Sequence, residues 1–338
     1  MTDGINRLGA SPKSHSTLAP SLLADVGATN ARFALVDARD RFQRIRVLAC
    51  EDYPSIHKAI AAYLDDELPL AGLKRVEAAA LAVAGPVTDD RVALTNHPWS
   101  FSINQLRRHL AIDRLVVVND FAAVARAIPC LKGNERYQIG GGKALASAPI
   151  GVLGPGSGLG IGGLVPSADE WLAIAGEGGH VTMAPVTIRE SAVLDRMRVH
   201  FDHVSAERVL SGPGLINLYN TLAEIDDIPA SSYTSAQIAD LGIGEREAHC
   251  REAVEMFCAM LGTVAGNLAL TLGAHGGIYI AGGIVPKLGP AFAASSFRKR
   301  FEDKGRLRPY LARIPTYVIT QPIPAFIGLA ALLADPAH

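Results

Sequence analysis

Two stretches of the chain, residues 22–36 and 150–165, carry one pattern: an apolar strand, a turn of small residues, and a second apolar strand. A pattern that recurs at the head of each half of a chain restricts the fold more than any local propensity does. The first turn reads Ala24-Asp25-Val26-Gly27-Ala28-Thr29-Asn30, the second Gly154-Pro155-Gly156-Ser157-Gly158-Leu159-Gly160. A length of 338 residues accommodates two domains of ordinary size. The repeat therefore predicts duplicated α/β domains that face one another across a cleft.

The chemistry of the turns suggests a ligand. Backbone N–H groups and the Thr29 hydroxyl can hold phosphate oxygens, the Asp25 carboxylate can hold magnesium or its waters, and Gly27 lets backbone come close. A plain hairpin turn accounts for Gly27 and Asn30 equally well, but it does not explain Asp25 at the end of an apolar strand. Two such turns, each gripping part of one phosphate chain, point to ATP with magnesium. Gly158, Gly160 and Gly163 also match the dinucleotide pattern G-x-G-x-x-G. That motif needs a helix directly after the turn, whereas residues 161–165 continue as apolar strand into Pro166. No G-x-x-x-x-G-K-[ST] occurs, which removes that class of nucleotide site.

The run Leu115-Val116-Val117-Val118 stops at Asn119-Asp120-Phe121. Unbroken apolar runs of this length are buried strands of parallel sheets, and ligands of open α/β sheets sit beyond the carboxyl ends of such strands. Asn119 and Asp120 thus stand where chemistry is done, although Asp120 would serve equally as the cap of a helix over 121–128. The strand at 78–84, closing on Gly85, is the next strand end on the same face. Helices at 53–64 and at 102–110, the latter capped by Ser102, supply the crossovers of a mixed sheet. In Glu177-Gly178-Gly179-His180 the glycines would let two polar side chains converge on a small polar ligand; a surface turn is the alternative, and two ligands without a third make a poor metal site.

Residues 205–214 predict a helix that starts at Ser205 and ends on glycine, with Glu207 in the first turn, where the helix dipole favours a carboxylate anyway. A long core helix follows over 245–272, ended by Gly273. The strand over 276–286 closes on Gly282-Gly283, where bare backbone would let a flat ring such as adenine lie against it. A strand at 317–320 and a helix at 324–333, begun by Pro324, complete the chain and fasten its two ends together.

Composition narrows the partners. At 49% hydrophobic and 19% charged residues the chain has a large core and is not disordered. A net charge of -1 gives no electrostatic reason to expect nucleic acid or an anionic membrane. Cys50, Cys130, Cys250 and Cys258 are scattered and read as reduced thiols of a cytoplasmic protein. The apolar stretch over 256–285 is interrupted by Asn267, His275 and glycines, which favours two soluble core elements over a membrane span. Residues 1–20 read as a flexible extension, neither a signal peptide nor a DNA-binding domain.

In this order, the Asp25–Asn30 turn, Leu94-Thr95-Asn96-His97, Asn119-Asp120-Phe121, the Gly154–Gly160 turn, Glu177-Gly178-Gly179-His180, Glu207 and the Gly282-Gly283 turn resemble the bacterial glucokinases. The resemblance runs from about Leu22 to the C-terminus. It implies the two-lobed actin-like ATPase fold, ribonuclease H-like, with duplicated mixed β-sheets and a cleft between the lobes. The small domain would span 21–130 with the C-terminal segment 320–338, and the large domain 131–319. Asp120 would be the general base toward the 6-hydroxyl of glucose, while Asn119, Glu177, His180 and Glu207 would hold the other sugar hydroxyls. Asp25 would position Mg2+ through water. Ala24, Asp25, Val26, Gly27, Ala28 and Thr29, with Gly156, Ser157 and Gly158, would surround the phosphates of ATP, and Gly282 and Gly283 the adenine.

Ala28 stands where the family pattern has a second glycine, so it must tolerate the backbone angles of that turn. The cysteine-rich zinc motif of the related ROK sugar kinases is missing from the sequence, and no structural zinc is expected. The resemblance also suggests a homodimer. The expected activity is ATP-dependent conversion of glucose to glucose 6-phosphate. A kinase for another hexose or an amino sugar, or a sugar-sensing regulator without turnover, are the alternatives.

Overall fold

The computed structural model describes residues 20–37, 41–168 and 170–335. The expected flexible extension at 1–20 lies, apart from Pro20, outside the described residues. The chain forms two compact units, one reaching to Asn119 and completed from Leu329 onward, the other running from Asp120 to Gly328.

In the first unit, β1 (Ser21–Val26) and β2 (Asn30–Val36) form the antiparallel hairpin, with β3 (Phe42–Ala49) on the outer edge of β2. The helix α1 (Ile56–Leu70) starts where Ser55 accepts the N–H of Lys58, and leads to β4 (Ala78–Val83), parallel to β1. A small sheet of β5 (Val87–Thr88), β6 (Arg91–Ala93) and β7 (Ser100–Ser102) precedes α2 (Ile103–Leu110). Ser102 caps that helix as expected, its hydroxyl accepting the N–H of Gln105 at 3.1 Å. Then β8 (Arg114–Asn119) runs parallel to β4, giving the order β3-β2-β1-β4-β8. Leu22, Phe33, Tyr63, Leu81 and Leu106 belong to its core.

The second unit opens with α3 (Asp120–Ala127) and β9 (Arg136–Ile139), followed by the hairpin β10 (Ile150–Pro155) and β11 (Leu159–Ser167), with β12 (Glu170–Gly176) on its edge. Four helices come next, α4 (Ile188–Met197), α5 (Gly212–Ile225), α6 (Ser235–Ile243) and α7 (Ala248–Leu272). The strands β13 (Gly277–Ile280) and β14 (Thr316–Ile319) then extend the sheet in parallel from β10, in the order β12-β11-β10-β13-β14-β9. Strand for strand, β12-β11-β10-β13-β14 repeats β3-β2-β1-β4-β8, with β9 added. The repeated hairpin in the sequence marks a repeated sheet.

The helix α7 is long and apolar enough to cross a membrane, but 72% of its most apolar stretch is buried inside the protein, with Met260 and Leu261 fully inaccessible. It is a core helix, and it stops at Gly273 in the left-handed conformation, φ 60°. One expectation fails. Residues 205–211 are not a helix but a succession of turns joined to Thr182 by a single β-bridge at Ser205. The helix begins afterwards, at Gly212, because Ser211 accepts the N–H of Gly214 and Pro213 occupies the first turn, where its missing N–H costs nothing. Gly212 and Pro213 therefore open α5 and do not close an earlier helix.

The last helix, Pro324–Ala334, carries the chain from the second unit back to the first. On the second unit's side, a Cβ at Gly328 would come within 1.8 Å of the Ala123 carbonyl oxygen, so only glycine permits that approach to α3. In the first unit, Arg114 of β8 donates to the carbonyl oxygens of Leu333 at 2.7 Å and Asp335 at 2.6 Å.

Candidate active site

The parallel strands of the first unit end level, with Val26, Val83 and Asn119 as register partners. The turn beyond β1 is held by Gly27 N–H donating to Asn30 O at 3.0 Å and by Cys50 N–H donating to Thr29 O at 2.8 Å. Cys50, buried beneath the turn, was not legible as part of the site, because nothing in the sequence links it to residues two strands away. Ala28 has no positive φ, so its side chain carries no strain there. Ala24 and Val26 are fully buried and offer the site only backbone, whereas Thr29 is exposed.

Asp25 is half-buried, 3.5 Å from Arg32 Nη1. Burial pushes its carboxyl above the usual carboxylate range and Arg32 partly opposes this. Asn119 is buried, and its amide donates to Gly85 O at 3.4 Å. Gly85 in turn lies so close to β6 that a Cβ would meet Ala93 O at 2.5 Å.

In the second unit, Asp120 is the first residue of α3, and its Oδ1 accepts the N–H of Phe121 at 2.9 Å. The Phe121 ring anchors that end of the helix in space left by glycines. A Cβ on Gly160 would fall 1.9 Å from the ring, and one on Gly154 2.8 Å from it. Part of the glycine pattern in the second hairpin thus serves the helix carrying Asp120 and not a ligand.

Glu177 and His180 flank a short 3-10 turn, with side chains 50% and 48% exposed and 4.0 Å apart. The glycines between them allow a close approach to β11: a Cβ on Gly179 would sit 2.0 Å from Leu159 O. Glu207 joins them, its N–H donating to Gly179 O at 2.9 Å and its Oε2 accepting the N–H of Leu159 at 2.8 Å. Glu177, His180 and Glu207 therefore gather around the start of β11, directly after the Gly156-Ser157-Gly158 turn.

Beside that turn lies a cavity of about 520 Å³, within the range of small-molecule sites. It brings together Gly156, Ser157 and Gly283 from the expected residues and adds Gly212, Pro213, Ser235, Ala236, Ile284 and Lys287. Gly158 and Gly282 are not in its wall. Gly282 instead braces the neighbouring strand end, in a left-handed conformation of φ 83° with Pro155 O 2.3 Å from where a Cβ would be. The added residues include the N-termini of α5 and α6, whose helix dipoles favour an anion, although at α5 the Gly212 N–H is taken by Gly156 O and the Gly214 N–H by the Ser211 hydroxyl. The sequence signal for them was the pair of caps, Ser211 and Thr234. Among the described residues no three His, Cys, Asp or Glu side chains are grouped as metal ligands. Asp25 remains the single carboxylate of the first turn.

A family model described as Glucokinase matches residues 22–336. The chain is 52% identical to the Glucokinase of Paramagnetospirillum magneticum, over 94% of this chain and 98% of that protein. It is also 48% identical to the Bifunctional protein glk of Paraburkholderia xenovorans, covering 99% of this chain but only 52% of that longer protein. Among solved structures, a glucokinase from an Antarctic psychrotroph superposes with a TM-score of 0.80 at 37% identity, over 94% of this chain and 99% of the other. The duplicated mixed sheets are those of the actin-like ATPase fold. The match over nearly the whole chain, on this fold, places the chain in the glucokinase family.

Proposed function

We propose that this chain transfers the γ-phosphoryl group of ATP to the 6-hydroxyl of D-glucose, giving glucose 6-phosphate and ADP. The observation that carries this reading is the gathering of Glu177, His180 and Glu207 at the start of β11, beside a hairpin turn whose other side opens into an anion-favouring cavity. Sugar hydroxyls need acceptors of that kind, and a site built for a hydroxyl rejects an analogue lacking it by about 10⁴ to 10⁵.

In this reading Glu177, His180, Glu207 and Asn119 bind the sugar. Asp120 accepts the proton of the 6-hydroxyl as that oxygen bonds to the γ-phosphorus and the bond to the bridging oxygen of ADP breaks. Gly27, Ala28 and Thr29, with the Gly156–Gly158 turn, hold phosphate oxygens through backbone N–H groups, and Gly282 and Gly283 border the adenine. Asp25 suits Mg2+ because burial leaves its negative charge poorly compensated, and one carboxylate with several waters is how that ion is commonly held. Bound there, Mg2+ offsets charge on the transferring phosphates. We also propose a cytoplasmic homodimer, which sedimentation of the purified chain tests.

The deciding experiment is a coupled assay of glucose 6-phosphate formation with ATP and Mg2+, run beside mannose, fructose, galactose and glucosamine. Turnover with glucose foremost supports the reading. Turnover confined to another sugar moves the substrate, and glucose binding without turnover with any sugar overturns the kinase assignment in favour of a sensor.

A further inference from the structure

Glu207 differs from its neighbours in what it already holds. Its Oε2 accepts the N–H of Leu159, the first residue after the Gly156-Ser157-Gly158 turn. Its carboxylate lies against Gly158, where a Cβ would come within 2.4 Å of Oε2. The backbone repeats the connection: Glu207 N–H donates to Gly179 O at 2.9 Å, and Gly212 N–H donates to Gly156 O at 2.8 Å. Residues 207–212 thus tie the Glu177–His180 segment to the phosphate turn and to the start of α5.

We infer that Glu207 is a positioning residue that couples the two substrates, with one carboxylate oxygen orienting the Leu159 end of the phosphate turn while the other receives a sugar hydroxyl. The inference rests on the sugar and nucleotide assignments proposed above and goes beyond them, since neither role by itself requires communication between the sites. A half-buried glutamate loses rotamer freedom when either ligand arrives. Nucleotide that orders the turn holds the Leu159 N–H in place, the N–H holds Oε2, and glucose then meets an oxygen already oriented. Glucose arriving first orders the turn through the same bond. Linkage requires the two effects to be equal.

The test is calorimetric titration of the full chain with glucose and with a non-hydrolysable ATP analogue plus Mg2+, each alone and each in the presence of the other. In the wild type each ligand tightens the other by about fivefold or more. Gly158→Ala places a methyl group where the carboxylate lies, so glucose affinity measured without any nucleotide falls by about tenfold and the mutual tightening disappears. Gly141→Ala, outside the candidate site and with nothing within 4 Å of its Cβ, keeps its glucose affinity. Conversely, Glu207→Gln weakens binding of the analogue in the absence of sugar, and Glu224→Gln, an exposed residue in the last turn of α5, does not. Melting curves of Gly158→Ala verify the fold, since the atom displaced is the end of a flexible side chain; Glu207→Gln tests the same bond should that variant fail to fold.

Wild-type glucose affinity in Gly158→Ala, or independent binding of the two ligands to the wild type, overturns the coupling alone. A wild type that binds neither glucose nor the analogue overturns the functional reading together with it.

Discussion

Asp120 and Asp25 are both carboxylates near strand ends, and their surroundings differ. Asp120 stands at the start of α3 with one oxygen on the Phe121 N–H, so under the proposed function removing its side chain takes away the base and leaves the residues assigned to the sugar in place. Asp120→Ala should lower kcat by about 10² to 10⁴ and leave glucose binding by calorimetry nearly unchanged; substantial residual activity would falsify the assignment of the base. Asp25 has its pKa raised by burial, with Arg32 opposing. A carboxyl raised in the folded state favours folding while it is protonated. That advantage is complete below its unfolded pKa and is lost as pH rises through the higher folded value. Asp25→Asn should therefore melt above the wild type at neutral pH without Mg2+, the difference vanishing in acid where both side chains are neutral, while Mg-dependent turnover is lost. Melting curves across pH check this, and an equal or lower melting temperature at neutral pH would contradict it.

Among the elements, α3 and the segment before α5 are set by contacts between residues distant in the chain. The sequence of β10 and β11 reads as a glycine-rich ligand turn, yet Gly154 and Gly160 are where the Phe121 ring packs. Gly160→Ala should destabilise the fold by about 1–3 kcal/mol through overpacking. Phe121→Leu in the same chain should recover part of that loss, because a smaller side chain vacates the space. Denaturant midpoints of the two single variants and the double variant measure the interaction, and strict additivity would mean that the ring and the glycine do not compete. Ser205 and Glu207 have the right types for a helix start, yet residues 205–211 form turns. What decides the matter is the Ser211-Gly212-Pro213 start of α5: the Gly212 N–H donates to Gly156 O and Pro213 has no N–H, so no helix runs through them from Ser205.

At the scale of the whole molecule, one sheet order is used twice, and each copy presents a hairpin turn beside the ends of its parallel strands. Ligand binding should act on the stability of the assembled chain: glucose at about 100 times its Kd should add about 2.7 kcal/mol, read as a rise in melting temperature, and a sugar that does not bind should add nothing. The duplication and the strand ends are legible in the residues alone, because apolar runs and glycine turns are local signals, and carboxylates at apolar strand ends nominate the candidate site. Long-range packing sets the bracing of the first turn by Cys50, the placing of the α5 and α6 N-termini at the cavity, and the bond from Leu159 N–H to Glu207. Those relations join residues far apart in the chain, and no local spacing encodes which distant backbone group a buried donor or carboxylate will meet.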